Sequence, residues 1–201
     1  MKYFLEIGSA DFDPLLPLCD LGSQGICVEP VEVLAQNLRE EVKSKGYPVE
    51  VLDCAVSHFD GEAELVAVTA FDWDEENSWA KGVSHLSSKH DDGQWCGRLL
   101  ENVNQIIPRE YRNVQCQTLN SLINYIKNES VVFRGFENTI DFMRIDTEGQ
   151  EVNILKAYDW EIKPKVIKVE HAHCDRDELI KILRDQKYFT QEEEYDIYGL
   201  L

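Results

Sequence analysis

The sequence predicts an α/β fold, a mainly parallel sheet with helices on both faces. Two observations predict it. Short apolar runs alternate with stretches of helical periodicity along most of the chain, and parallel neighbours need a helical crossover between them. The 201 residues are also enough for one such domain with a full core.

The elements follow in order. Tyr3 to Ile7 reads as the first strand, closed by Gly8. Asp13-Pro14-Leu15-Leu16-Pro17-Leu18 predicts a helix with Pro14 in its first turn, kept short by Pro17. Gln24 to Val28 is the second strand. Val31 to Lys45 carries Val31, Leu34, Leu38 and Val42 at helical spacing and stops before Gly46. Val49 to Leu52 is the third strand, with Cys54-Ala55-Val56 read as its extension. The β signals on both sides of Asp60-Gly61, the second running from Glu62 to Val68, predict a hairpin-like element. From Phe71 to about Arg112 the periodicity fades. A long irregular stretch inside a compact domain is usually functional or disordered; its aromatics favour a lid or insertion at about 71–112, with disorder as the alternative. Trp73, Trp79 and Trp95 would stack a substrate ring there or pack the lid on the sheet.

Order returns at Val114 to Leu119, followed by a helix from about Ser121 to Lys127. Ile140 to Ile145 is the fourth sheet strand and ends at Asp146. Gln150 to Tyr158 reads as a helix. Val166 to Val169 is the fifth strand, ending at Glu170, and Asp177 to Asp185 is the last helix. Tyr188 to Thr190 and Asp196 to Leu201 suit a closing antiparallel pair. No repeat or linker interrupts the pattern, so residues 1–201 are expected to form a single domain.

Composition narrows the partners. Twenty basic residues against 38 acidic ones give a formal charge of -18. Such a surface repels phosphate backbones and anionic lipid, so neither nucleic acid nor membrane is an expected partner. Six cysteines are scattered without a C-x-x-C pair, and Cys27 and Cys54 sit in apolar runs as small hydrophobes. The chain opens directly on a strand and no apolar stretch is long enough to span a bilayer, so a reducing, cytoplasmic setting is expected.

The chemistry gathers at the strand ends, where ligands bind in open α/β sheets. Glu6 with Gly8, Glu29, Asp53, Asp146 with Glu148, and Glu170 with His171 fall on one predicted edge. A glycine after the first strand lets backbone approach a ligand closely, and an acid after the second can accept a ribose diol. Glu6-Ile7-Gly8-Ser9-Ala10-Asp11-Phe12 has one glycine where a dinucleotide fingerprint has three, and Asp11 would repel phosphate. A phosphate-free nucleoside with a positive charge fits better. S-adenosylmethionine has that chemistry.

These motifs resemble the FkbM family of S-adenosylmethionine-dependent methyltransferases. The resemblance rests on Phe4-Leu5-Glu6-Ile7-Gly8, Cys27-Val28-Glu29-Pro30, Asp53-Cys54-Ala55-Val56-Ser57, Asp60-Gly61-Glu62-Ala63 and Thr118-Leu119-Asn120-Ser121-Leu122. It continues through Met143-Arg144-Ile145-Asp146-Thr147-Glu148-Gly149-Gln150-Glu151, the most specific piece, and Val169-Glu170-His171. It implies a Rossmann-like class I methyltransferase fold, a seven-stranded sheet with one antiparallel strand, and methyl transfer from S-adenosyl-L-methionine, typically to oxygen of a small molecule or glycan, leaving S-adenosyl-L-homocysteine. By the same resemblance Glu6, Gly8 and Ser9 line the methionine and ribose part and Glu29 takes the ribose hydroxyls, with Asp11 and Pro30 as further cofactor-binding residues. Asp53 and Cys54 flank the adenine, and Asp146 lies beside the methyl donor. The chain departs from the family pattern at Phe12, near the place of a second glycine, and at Asn120, where aspartate is usual.

The sulfonium is already activated, so alignment of the acceptor is the main task, with Asp146, Glu148 and His171 as candidate catalytic groups. Glu148 has a competing reading as a cap of the following helix. His171 and His173, alternate along a strand, would share a divalent metal with Asp146 or Glu170, but no metal is the favoured reading. His58, His85 and His90 are expected to be solvated, although Ser84-His85-Leu86-Ser87-Ser88 lies where a lid would approach an acceptor. The competing functions are a non-catalytic nucleoside-binding protein of the same fold and, disfavoured by the missing glycines, a nicotinamide-dependent oxidoreductase.

Overall fold

The structure is a computed structural model that describes residues 2–10, 15–68, 82–87, 109–133, 136 and 138–201. Its main sheet contains β1 (Tyr3–Ile7), β2 (Gln24–Val28), β3 (Val49–Leu52), β8 (Phe142–Ile145), β9 (Val166–Glu170), β10 (Phe189–Glu192) and β11 (Asp196–Leu200). The order across the sheet is β10-β11-β9-β8-β1-β2-β3. β11 runs antiparallel to both of its neighbours, and the other pairings are parallel. The sheet is therefore mixed, and its order reverses between β1 and β8, where the two halves of a doubly wound sheet part and leave a crevice.

Side-chain alternation decides which helix lies on which face. Tyr3, Leu5 and Ile7 of β1 and Met143 and Ile145 of β8 join one apolar cluster with α2 (Leu119–Asn128), α3 (Glu151–Ala157) and α4 (Arg176–Asp185). Phe4 and Cys27 point the other way, into a cluster with Leu16 and with Leu38 of α1 (Glu32–Lys45). α1 ends at Gly46, which adopts a left-handed conformation and returns its N–H to Lys43 and Val42. The N-cap Thr118 of α2 accepts from the Ser121 N–H, and Asp175 does the same for α4 with Glu178.

A second sheet holds β4 (Ala55–Ser57), β7 (Arg109–Thr118), β5 (Gly61–Val68) and β6 (His85–Leu86) in that order. Two expectations are corrected here. Ala55 and Val56 do not extend β3: the chain turns at Asp53-Cys54, and β4 pairs with β7, parallel. The β signals flanking Asp60-Gly61 do not form a hairpin either, because β7 lies between β4 and β5 and runs antiparallel to β5 from Gly61↔Cys116 to Val68↔Arg109. β7 also starts earlier than the apolar pattern suggests. Its charged first turns, Arg109 to Arg112, hide a strand whose backbone is paired with β5. Ala63, Leu65, Ala67, Leu86 and Cys116 of this sheet pack on Val31 and Leu34 at the start of α1.

The helix expected over 13–18 is observed as a 3-10 helix at Leu16–Leu21 with Pro17 in its first turn. Asp11 and Phe12, most of the expected lid at 71–112 with Trp73, Trp79 and Trp95, and His90 lie outside the described residues. Among the described residues no helix is long and apolar enough to cross a membrane, and Cys19, Cys27, Cys54, Cys116 and Cys174 are unbridged.

Candidate functional site

A cavity of about 320 Å³ opens at the C-terminal edge of β1, β2 and β8, at the reversal of strand order. The main sheet supplies its floor and Leu65, Ser84, His85 and Leu86 of the second sheet and its flank supply its roof. Such a volume suits a small-molecule ligand.

Gly8 makes the first wall possible. Its φ is +79°, and its N–H and that of Ser9 both donate to Val28 O, at 2.9 and 3.2 Å. A Cβ at Gly8 would lie 1.6 Å from the Asp146 carbonyl oxygen, so only glycine lets the loops after β1 and β8 meet. Ser9 is buried beside it. Glu29 follows β2 and is buried, its Oε2 accepting from the Ala10 N–H and its Oε1 from the Val31 N–H, both at 2.8 Å. These bonds fix the direction in which the carboxylate meets the cavity. Pro30 and Cys54 complete this wall. Burial pushes the Cys54 thiol up to about 11, so it is a neutral, unreactive surface at neutral pH.

The opposite wall is acidic. Asp146, Glu148 and Glu170 line it. Arg144 spans Asp146 at 2.9 Å and Glu6 at 3.3 Å, and it stands directly across from Glu6 in the β1–β8 register. Burial, with the Asp146 and Glu148 carboxylates beside it, pushes the Glu170 carboxyl far above the usual carboxylate range. Glu148 sits at φ +58°, a conformation unusual for a residue with a side chain, and its carboxylate meets His173 Nε2 at 3.0 Å. Burial holds the His173 imidazole below its ordinary pKa, against the upward pull of Asp146.

Several sequence-predicted residues stand elsewhere. Glu6 is fully buried under the floor, where it pairs with Arg144 and accepts from the Leu15 N–H at 2.9 Å. It does not line the cavity. Asp53 points away from it, exposed, and pairs with half-buried Arg39 at 3.3 Å. The His171 ring is turned toward Glu193 O, its Nε2 at 3.4 Å, and the His171 backbone N–H donates to Tyr195 O. The strand alternation expected to pair His171 with His173 ends at Glu170. The chain turns there, and His173 alone reaches Glu148. The backbone N–H groups leading into α3 need an acceptor. That task falls to buried Glu151, which accepts from the Thr147 N–H at 2.6 Å, Thr147 Oγ1 at 2.8 Å and the Gly149 N–H at 3.0 Å. His85, expected to be solvated, is half-buried in the roof.

Sequence reasoning passed over Arg144 and Gln150. Arg144 carried a signal, a cation inside an otherwise apolar strand. Gln150 lies in the most specific matching segment but carried no chemical signal of its own: it gains its place because Ser57 Oγ of β4 donates to its Oε1 at 2.8 Å, a contact made only when the second sheet closes over α3.

Comparison with known proteins bears on this site. The family model described as the methyltransferase FkbM domain matches residues 5–190. No curated protein matches the chain. Among solved structures, the chain is similar to a methyltransferase FkbM from Methylobacillus flagellatus KT, with a TM-score of 0.56 at 13% identity, covering 98% of this chain and 43% of that one. It therefore spans less than half the length of that relative. A weaker likeness, with a TM-score of 0.45 at 12% identity, is to a chain of the fibrillarin/Nop5p complex, covering 98% of this chain and 70% of that one.

Proposed function

The chain belongs to the methyltransferase FkbM domain family, and on that premise we propose that it is an S-adenosylmethionine-dependent methyltransferase that methylates an oxygen of a small molecule or glycan. The residues present suit that cofactor. Among the described residues the ionisable carboxyls on the walls are Glu29, Asp146, Glu148 and Glu170, with Arg144 beside them, and Arg144 is paired to two carboxylates. A pyrophosphate would meet repulsion here, whereas a sulfonium cation is attracted. When bound, the cofactor supplies an electrophilic methyl group on a sulfur that leaves as a neutral thioether.

This chain's residues would bind, orient and take up the acceptor's proton. Gly8 and Ser9 give the cofactor a close backbone wall, Glu29 holds the ribose hydroxyls, and Pro30 and Cys54 border the base. Asp146 stands at the cationic centre with its orientation set by Arg144. Glu6 is a positioning residue in this reading, because it holds Arg144 from below. Asp146 and Glu148 face the acceptor side, and His173 takes the place first expected for His171. Alignment carries most of the rate, because a carboxylate is a weak base for an alcohol.

The observation that carries this reading is Glu29, a carboxylate at the tip of β2 whose orientation is fixed by two backbone N–H groups beside the strand-order reversal. Calorimetry with S-adenosylhomocysteine and with NAD tests it. Binding of the first alone, weakened at least tenfold by Glu29→Ala, is expected. Equal affinity in that variant, or binding of NAD instead, would overturn the assignment.

A further inference from the structure

Two side chains of the acidic wall, Glu148 and Glu170, meet His173 in a way that methyl transfer alone does not require. Glu148 comes from the loop after β8, Glu170 from the end of β9 and His173 from the turn beyond it. One ligand atom from each lies within 4.8 Å of the others. The His173 Nε2 to Glu148 Oε2 separation is 3.0 Å. Two ligands bound at right angles to one ion, each at about 2.1 Å, stand about 3.0 Å apart. A separate observation points to the same place. Glu170 Oε2 is enclosed without a hydrogen-bond partner of its own, and an enclosed carboxyl oxygen left unpaired is costly.

The geometry points to a divalent first-row cation held by Glu148, Glu170 and His173. Two carboxylates and one imidazole form a donor set suited to Mn²⁺ or Zn²⁺. Three protein ligands leave coordination positions open, as a site that receives a substrate must. An ion here would give Glu170 Oε2 the partner it lacks. The left-handed backbone at Glu148 is then what turns its carboxylate inward.

The role of the ion rests on the methyltransferase reading; its presence does not. An acceptor hydroxyl bound to the ion is acidified. Its proton passes to Asp146, its oxygen forms the new bond to the methyl carbon, and the carbon–sulfur bond breaks with the electron pair staying on sulfur.

The test is titration of the full chain with Mn²⁺ alone, read by electron paramagnetic resonance and calorimetry. One Mn²⁺ per chain is expected, with affinity reduced at least tenfold in His173→Ala and in Glu170→Gln, and unchanged in His171→Ala. Thermal melting of each variant checks that it is folded. If Glu170→Gln does not fold, Glu148→Gln takes its place. Absence of Mn²⁺ binding, or equal affinity in folded His173→Ala, overturns the site. S-adenosylhomocysteine affinity measured on the same metal-free sample reports separately on the cofactor reading, so either can fail without the other.

Discussion

Replacing Gly8 by alanine isolates the close approach on which the cavity depends. The added Cβ would stand 1.6 Å from the Asp146 carbonyl oxygen and 2.7 Å from its carbon, where real contacts begin at 3.0 Å. The carbonyl would have to retreat by 3.0 − 1.6 = 1.4 Å. Asp146 N–H donates to Ile7 O at 2.9 Å, so a retreat of that size breaks the bond joining the ends of β1 and β8. Losing it costs about 1 kcal/mol, and the left-handed backbone adds about 1–2 kcal/mol for any residue with a Cβ. A total of about 2–3 kcal/mol is expected. Gly22→Ala is the matched control. Gly22 has a φ of +83°, and nothing lies within 4 Å of its added Cβ, so only the backbone penalty applies. Urea unfolding and calorimetry with S-adenosylhomocysteine measure both effects. Gly8→Ala should be the less stable by at least about 1 kcal/mol and should lose more than tenfold in affinity, with Gly22→Ala binding normally. Equal stability and equal affinity in the two variants would refute the reasoning.

Two further predictions concern stability. Asp141 accepts from the Lys2 and Tyr3 N–H groups at 2.7 and 3.0 Å and pairs with Lys165 at 2.6 Å. Burial pushes its carboxyl up, but these donors outweigh it and hold the group at about 2. The depressed value stabilises the fold above the unfolded pKa near 4, and that contribution disappears as pH falls toward 2. Allowing for the exposed Lys165, Asp141→Asn should cost about 1–2 kcal/mol at pH 7. An unchanged urea midpoint at pH 7 would contradict this. Asn120 uses both ends of its amide, donating to Ala157 O at 3.0 Å and accepting from the Asp159 N–H at 3.1 Å. Asn120→Asp, the residue usual in the family pattern, should lose the donor and about 1 kcal/mol. A melting temperature equal to that of the parent would show that the bridge from α2 to the end of α3 contributes nothing.

Much of the main sheet was legible because burial writes itself into the chain. Tyr3 to Ile7, Gln24 to Val28 and Val166 to Val169 are runs that solvent would not tolerate, and Gly46 closes α1 where the periodicity stops. Glu29 and Asp146 were legible for a related reason, since an acid just beyond a parallel strand falls at the binding edge of the sheet. β4 and the start of β7 were not legible. Their partners lie far along the chain, and Ala55-Val56 looks the same whether it continues one sheet or begins another.

By itself the sequence determined the α/β class, the strand ends and the acidic character of the site, because these follow from local hydrophobicity and from charge. Only the tertiary structure decided which acids face the cavity. Glu6 and Asp53 occupy strand ends as suggestive as that of Glu29, yet the first is turned beneath the floor toward Arg144 and the second outward toward Arg39. His173 rather than His171 reaches Glu148 because the chain leaves its extended path after Glu170. Side-chain direction at the end of a strand depends on the turn that follows and on partners from other strands, and no local pattern encodes either.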